Sequence, residues 1–271
     1  MSIQAEDRDW IADCDAIEAH AFKDWHRACA REIRLEHSFQ CLTINHGCAI
    51  SLPTASGAVF NRIFGLSRLE ELDEAYQWMR AKPGPKFLQL NPQVDTGVIS
   101  PWLEARGFIE HGLPWAKLVC GPPEDNPLPA HGVRSRKVRS PEAAEFGAIL
   151  CHSFGLPEAL IPVWASIVGK QGWSCSFALV DGKPIGAGAM YAIGDRGWLG
   201  AGAVLPAFRN RGAHKALIEA RLVAGRAAGV RQFVVEACFQ LSGTTNTSYD
   251  NLRKTGFMHA YTRRNFAFRE D

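Results

Sequence analysis

The pattern of hydrophobic and polar positions predicts both helices and strands in the first half of the chain. Apolar residues recur at helical spacing from Asp13 to Ile33, whereas "CLTINHGCAISLP" and "KFLQLNP" alternate as strands do. Ser67 and Glu70 have the spacing of a capping box and predict the start of a helix through "LEELDEAYQWM". Ser100-Pro101 predicts the start of a short helix, and "LPWAKLVC" predicts a closing strand.

The second half predicts a strand, two helices, three strands, a helix, a strand, a helix and a strand, in that order. Its first strand leads into a helix at Ser140-Pro141-Glu142, and Asp181-Gly182 predicts a tight hairpin turn. Glycines in the third strand, "RGWLGAGAV", would allow a ligand or another backbone to approach closely. This order indicates an α+β, or mixed α/β, domain.

A segment rich in proline and glycine divides the chain. "CGPPEDNPLPAHG" has almost no hydrophobic period, so we predict a linker over residues 121–132 between domains at 1–120 and 133–271. The halves share a weak repeat: each has a helix end, then Gly-Phe (Gly107-Phe108 and Gly256-Phe257), then a terminal strand. We interpret them as two related lobes.

Composition narrows the functional classes. A chain of 271 residues with 46% hydrophobic and 21% charged residues is typical of a globular protein, and a net charge of +2 argues against nucleic-acid binding. The acidic start lacks a signal-peptide pattern and no apolar run is long enough to cross a bilayer, so we expect a cytoplasmic protein that does not bind membranes. Eight cysteines without a C-x-x-C pair predict reduced thiols, and the histidines show no metal-ligand spacing.

The most informative segment is a basic helix entrance in the second half. A predicted strand ends at Pro206, and Arg209, Arg211 and Lys215 surround Gly212 where a helix begins. Unpaired N–H groups and the helix dipole attract phosphate there, and glycine permits close approach. The alternative is a solvated basic turn. The two glycine-rich stretches "GAGAMY" and "GAGAVL" lack the last glycine of a dinucleotide-binding motif.

Two motifs carry a resemblance to a known family. "AVLPAFRNRGAHKALIEARL" resembles the acyl-CoA-binding segment of the GNAT superfamily of N-acetyltransferases, and "NTSYDNLRKTGF" is similar to the region that ends that fold. The motifs occur in the family's order and cover the second half. The resemblance implies a GNAT domain there, acetyl-CoA as cosubstrate, and a degenerate GNAT-like lobe in the first half, as in tandem members.

The resemblance also assigns roles to individual positions. It implies that Ala203 and Val204 pair with the pantetheine amides and that Asn246 lies near the pantetheine arm or the reacting centre. The CoA pyrophosphate would bind the backbone N–H groups of Arg209, Asn210, Arg211, Gly212, Ala213 and His214. Where the family often has a tyrosine that protonates the departing thiolate, this chain has Leu252. Tyr249 and Tyr261 are the alternative acids.

The candidate base is Glu236, the carboxylate of the strand "VVEACF". Attack by an amine on a thioester requires removal of a proton, and Glu236 would lie where two strands separate. The alternative is a structural carboxylate. Cys238 invites an acyl-enzyme hypothesis, but no histidine stands beside it in sequence, so we expect a buried thiol. The candidate lining residues of the acceptor pocket are His152, Phe154, Tyr261 and Arg263. Arg263 and Arg264 would favour an acceptor that carries a carboxylate; the alternative is a solvated pair.

The leading prediction is an N-acetyltransferase that moves an acetyl group from acetyl-CoA to a primary amine, the acceptor being a small molecule. A non-catalytic acyl-CoA-binding or regulatory protein is the alternative from another class. A phosphate-binding interaction domain is a third. No metal is predicted, and a homodimer is left open.

Overall fold

The computed structural model describes residues 10–123, 132–239 and 246–268. The helices in these ranges are α1 (Trp10–Ala28), α2 (Arg31–Glu36), α3 (Leu69–Arg80), α4 (Thr96–Ala105), α5 (Ala143–Phe154), α6 (Ile161–Ala165), α7 (Ala213–Ala227) and α8 (Thr247–Lys254). The strands are β1 (Gln40–Ile44), β2 (Gly47–Ser51), β3 (Asn61–Phe64), β4 (Phe87–Leu90), β5 (Ile109–Glu110), β6 (Trp115–Cys120), β7 (Arg134–Lys137), β8 (Trp173–Val180), β9 (Lys183–Ile193), β10 (Arg196–Val204), β11 (Gln232–Cys238) and β12 (Met258–Ala267). The mixed α/β class is confirmed.

One continuous sheet joins the two halves of the sequence. Its order is β1-β2-β3-β4-β12-β6-β11-β10-β9-β8-β7, with β5 paired to β12. Strand β6 ends the first half of the sequence, yet it lies between β11 and β12, while β12 also pairs with β4. The two halves therefore exchange their last strands, so hydrogen bonds cross the predicted division between residues 1–120 and 133–271.

The predicted order of elements in the second half is confirmed. At the β8–β9 hairpin, Asp181 and Gly182 have φ of 50° and 77°, as expected of a two-residue turn with both residues left-handed. The predicted linker at 121–132 falls mostly outside the described residues. Gly107 and Gly256, the glycines of the proposed repeat, share a positive φ after α4 and α8 (68° and 93°).

The helix predicted over "LEELDEAYQWM" is confirmed as α3, but its N-cap is Arg68 rather than Ser67 and it has no side-chain cap. The predicted helix start at Ser100-Pro101 was wrong. Helix α4 begins at Thr96, where the Asp95 carboxylate accepts a hydrogen bond from the Gly97 N–H, so Pro101 lies inside the helix. The Asp95 cap therefore starts α4 ahead of the Ser100-Pro101 motif.

The segment 41–53, predicted as one strand, is a hairpin. Strands β1 and β2 pair antiparallel, and Asn45 in the turn has φ of 47°. Asparagine tolerates this left-handed conformation, so Asn45 was the turn signal that the sequence offered.

Within the ranges that the structure describes, no helix is long and apolar enough to cross a membrane, and all eight cysteines are free.

The part of the sheet formed by β8–β11 is covered on both faces, and this places the site. On one face, here called the α7 face, Ile218 and Leu222 of α7 pack with residues such as Leu199 and Val235, and Leu217 packs with Val204. On the opposite, α1 face, helices α1, α5 and α6 form one buried cluster with the sheet. Because α1 belongs to the first half of the sequence, both halves build this core.

Candidate functional site

Strands β10 and β11 separate in the middle of the sheet. Their parallel pairing runs from Arg196 with Gln232 to Leu199 with Val235 and then stops. A bulge interrupts the β10–β9 register between Leu199 and Gly202, after which β10 follows β9 while β11 stays bonded to β6. A gap therefore opens between 200–204 and 236–238, where an extended ligand could supply the missing strand contacts.

The start of α7 lies next to this gap. Gly212 is the N-cap residue, with φ of 81°, and α7 has no side-chain cap. The first intrahelical bond runs from the Ala216 N–H to the Gly212 carbonyl. The N–H groups of the first turn therefore have no partner within the helix and face outward with partial positive charge. Asn210 is left-handed as well, with φ of 62°.

The basic side chains around this helix start behave differently from one another. Arg209 donates to the Val204 carbonyl (3.3 Å) and the Ser153 carbonyl (3.2 Å), and so ties the loop to the end of β10 and to α5. Arg211 is exposed, with its guanidinium carbon 5.5 Å from the centre of the Phe208 ring. Lys215 pairs with Glu219 at 3.4 Å on the helix surface.

A cavity of about 400 Å³ passes through the gap between the strands. On the α7 face it is lined by His214, Arg221, Ser248 and Leu252, and in the gap by the backbone of 199–202 and 235–238. On the α1 face its wall is aromatic: Phe22, Trp25, Phe60, Trp115, Trp164 and Trp198. We call these six rings the aromatic chamber, and Phe154 lines the cavity beside Trp164.

Glu236 lines the cavity and is 11% exposed, but its carboxylate is heavily engaged. Its Oε1 accepts from Arg62 (2.6 Å), and its Oε2 accepts from Arg62 (3.0 Å) and Arg263 (3.2 Å). A carboxylate has about four acceptor positions, so these three bonds leave room for about one more. Glu236 is thus both a structural carboxylate and a group that a ligand can reach.

Behind Glu236 lies a buried ionic cluster that spans both halves of the sequence. Glu18 of α1 binds Arg62 (2.6 Å), Arg263 (2.8 Å) and Lys117. Burial by itself would raise the pKa of Glu18, but the three cations, Arg263 foremost, hold it well below its usual range. With Asp15, which binds Arg263, the cluster has three cations and three carboxylates, including Glu236, and is formally neutral.

Neither tyrosine proposed as the acid is among the described residues that line the cavity. The Tyr261 hydroxyl donates to Asp15, and burial raises the pKa of Tyr261 far above its usual range. Tyr249 packs beside Phe239, with ring centres 6.3 Å apart. The geometry gives the acid role no support, and it stays a prediction.

Asn246 and His214 have clear local roles. The Asn246 side-chain oxygen caps α8 by accepting from the Ser248 and Tyr249 N–H groups, and its amide nitrogen donates to the Cys238 carbonyl across the gap end. His214 contacts Asn251 at 3.2 Å, and burial, with the charge of Arg221, lowers its pKa to about 4. His214 is therefore neutral at pH 7.

Arg221 is a site residue that sequence reasoning missed, as are the six rings of the aromatic chamber. Arg221 is buried, donates from Nε to the Leu217 carbonyl (2.9 Å) and from Nη1 to the Ala201 and Ala189 carbonyls (3.0 and 3.4 Å), and burial lowers its pKa to about 10. A Cβ at Gly202 would lie 2.8 Å from its Nη2. The available signal was an arginine on the apolar face of a predicted helix, opposite a glycine-rich strand.

The expectation of a buried thiol at Cys238 was wrong. Cys238 is exposed and lines the cavity, because it lies at the end of β11 where the strands are apart. Desolvation and the neighbouring Glu236 raise the pKa of its thiol, which opposes formation of a nucleophilic thiolate. That Cys238 is not a nucleophile remains a prediction, and the raised pKa of its thiol favours it.

Comparison with known proteins agrees with this geometry. Residues 148–245 match the model of the acetyltransferase (GNAT) family, a range that contains the gap, the start of α7 and Glu236. A GCN5-related N-acetyltransferase from Kribbella flavida superposes with a TM-score of 0.60 at 14% identity, over 91% of this chain and 96% of that one. No curated protein matches.

Two further solved structures bear on the architecture. A tandem GNAT protein from the clavulanic acid biosynthesis pathway has a TM-score of 0.58 at 13% identity, over 95% of this chain and 93% of that one. A GCN5-related N-acetyltransferase from Sphaerobacter thermophilus has a TM-score of 0.57 at 16% identity, and the match covers 73% of this chain but only 66% of that one. The predicted two-lobed fold is confirmed. At identities of 13–16%, the similarity is evidence for the fold alone.

Proposed function

We propose that this chain, a member of the GNAT superfamily by its residues 148–245, transfers an acetyl group from acetyl-CoA to the nitrogen of a primary amine. Family and fold support acyl transfer in general; the acetyl donor and the amine acceptor are our inference. The observation that carries it is the cavity that runs from the uncapped start of α7, through the gap between β10 and β11, to Glu236.

The α7 face suits the donor. The pyrophosphate of acetyl-CoA would accept hydrogen bonds from the backbone N–H groups between Arg209 and His214, where the left-handed Asn210 and Gly212 shape the loop. The pantetheine arm would lie along Ala203 and Val204 at the open edge of β10. Asn246, which fixes the end of β11 to the start of α8, would hold the other side of the gap.

The reaction is written as direct transfer. The amine lone pair forms a bond to the thioester carbonyl carbon, the carbon–sulfur bond breaks, and the sulfur leaves as a thiolate that takes up a proton. The nitrogen loses a proton in the same sequence, and we assign its acceptance to Glu236, directly or through a water. Arg62 and Arg263 hold the carboxylate in place for this step. The donor of the thiolate proton is not assigned, since neither Tyr249 nor Tyr261 is among the described residues that line the cavity.

The test is a thermal melt with and without acetyl-CoA, followed by an assay of thiol release with a set of amines. Saturation at about one hundred times the dissociation constant stabilises a protein by roughly 2.7 kcal/mol, which is a rise in melting temperature of about 5–10 °C for a chain near this length. The matched variants are Gly212→Asp and Gly212→Asn. Asparagine tolerates the positive φ at this position (81°), so the pair differs mainly in charge.

We expect acetyl-CoA to stabilise the parent, Gly212→Asn to keep part of that shift, and Gly212→Asp to lose it because a carboxylate repels the pyrophosphate. Equal shifts in both variants would contradict binding at the start of α7. A shift without thiol release for any amine would favour the non-catalytic acyl-CoA-binding alternative. Free phosphate binding as well as acetyl-CoA would favour a phosphate-binding domain.

A further inference from the structure

The two ends of the cavity differ in chemistry. The α7-face end is polar, with His214, Arg221 and Ser248, and it suits the donor. The α1-face end is the aromatic chamber, whose rings come from α1, the segment before β3, β6, α6 and β10. Since the donor enters from the α7 face under the proposed function, the aromatic chamber is left for the acceptor.

The chamber is a built structure rather than a chance gathering of rings. The Trp25 and Trp164 rings lie 4.4 Å apart, Phe60 meets Trp164 edge-on at 5.8 Å, and Phe22 lies 5.4 Å from Trp198. The Trp25 Nε1 donates to the Val163 carbonyl at 2.8 Å, which ties α1 to α6. Rings fixed in this way offer flat apolar faces and edges that favour another aromatic ring.

The charges around the chamber are already balanced. Glu236 is the only ionisable carboxylate among the described cavity residues, and Arg62 and Arg263 neutralise it. Arg263, which the sequence offered as a partner for an acceptor carboxylate, is 1% exposed and occupied by Asp15, Glu18 and Glu236. A second charge placed among the six rings would therefore be desolvated without a partner from the described residues of the chamber, which disfavours its binding.

We propose that the acceptor is an arylalkylamine: a primary amine joined by a short apolar linker to a flat aromatic ring, with no second charge. This inference rests on the proposed function. The ring occupies the aromatic chamber, and the amine points into the gap between β10 and β11, where the remaining acceptor position of Glu236 receives its hydrogen bond. The first half of the sequence, through Phe22, Trp25 and Phe60, thus selects the substrate of the second half.

The experiment compares kcat/KM for four amine acceptors, with acetyl-CoA as donor. The set is phenylethylamine, cyclohexylethylamine, lysine and spermidine. We expect phenylethylamine to exceed cyclohexylethylamine about five-fold, since ring–ring contacts add roughly 1 kcal/mol beyond burial. It should exceed lysine and spermidine at least about 100-fold because their second charges find no partner.

A matched pair of variants tests the location. Phe154 is 47% exposed and lines the cavity beside Trp164, so Phe154→Leu should fold normally. We expect it to raise KM for phenylethylamine about five-fold while KM for acetyl-CoA stays the same. The control is Phe108→Leu. Phe108 packs on Trp102 in a hydrophobic cluster, mostly of first-half residues, whose described members do not line the cavity, so we expect both KM values to stay unchanged.

The outcomes separate the two proposals. If acetyl-CoA raises the melting temperature but lysine or spermidine is the better acceptor, the arylalkylamine inference is wrong and acetyl transfer stands. If hexanoyl-CoA is a better donor than acetyl-CoA and arylalkylamines are not used, the chamber holds the acyl chain and the inference is overturned. Absence of both an acetyl-CoA shift and transfer would overturn the proposed function and, with it, this inference.

Discussion

At the scale of single residues, Glu236 combines a structural role with a position at the site, two roles that normally fall on different residues. Its carboxylate is bound to the guanidinium groups of Arg62 and Arg263, which is typical of a structural ion pair. The same carboxylate lines the cavity wall, where a ligand can contact it. The sequence predicted its position beside the gap, because an acidic residue in an otherwise apolar strand is conspicuous. It could not predict Arg62 and Arg263, which come from distant strands.

Replacing Glu236 with glutamine tests its chemical role. We expect Glu236→Gln to lower kcat about 100-fold, the lower range for loss of a proton acceptor, with KM for acetyl-CoA within about two-fold. The control is Glu110→Gln, which removes a carboxylate from an exposed pair with Arg264 (3.0 Å) and should leave kcat unchanged. A Glu236→Gln enzyme as fast as the parent from pH 6 to 9 would assign Glu236 a structural role alone.

At the scale of elements, the bulge in β10 needs a partner from outside the sheet. Where β10 leaves β11, the carbonyl of Ala201 accepts a hydrogen bond from Arg221, and so does the carbonyl of Ala189 in β9. Gly202 leaves room for the guanidinium. The glycine-rich strand was visible in the sequence as a place of close approach. That the approaching group is an arginine side chain of α7 depends on packing that no local pattern records.

Replacing Arg221 with methionine, which keeps an unbranched apolar stem, tests this support. We expect Arg221→Met to lower the free energy of unfolding by about 1–3 kcal/mol, because the carbonyls of Ala201 and Ala189 lose donors. Relief of the burial that lowers the pKa of Arg221 to about 10 offsets part of the loss. The control is Arg226→Met in the last turn of the same helix, at an exposed position, with a change under about 0.5 kcal/mol. Denaturant unfolding that shows equal stabilities would contradict a supporting role for Arg221.

At the scale of the whole molecule, the exchange of strands explains why sequence reasoning predicted the order of elements in the second half but not the pairing between the halves. Helix periods, the Asp181-Gly182 turn and the basic start of α7 are local signals, and they were sufficient for the order of elements. The pairing of β6 with β11, and of β12 with β4, joins residues far apart in sequence. The aromatic chamber depends on this assembly, since α1 reaches the cavity only when both halves share one sheet.

Glu18 is the residue on which this assembly can be tested, since it binds Arg62 of β3, Lys117 of β6 and Arg263 of β12. Glu18→Gln would leave three buried cations facing two carboxylates. We expect a loss of roughly 3–5 kcal/mol in the free energy of unfolding, measured by denaturant titration, against little change for Glu110→Gln.

The pH dependence gives a second measurement. The pKa of Glu18 is lowered in the folded chain from an unfolded value of 4.5, so its stabilisation is present above that value. The difference between parent and Glu18→Gln should be constant from pH 5 to 8 and shrink as the pH falls below about 4.5, where the unfolded carboxyl takes up a proton. A loss below about 1 kcal/mol at pH 7 would mean that strand pairing and apolar packing join the two halves without help from this cluster, and that its charges serve to position Glu236.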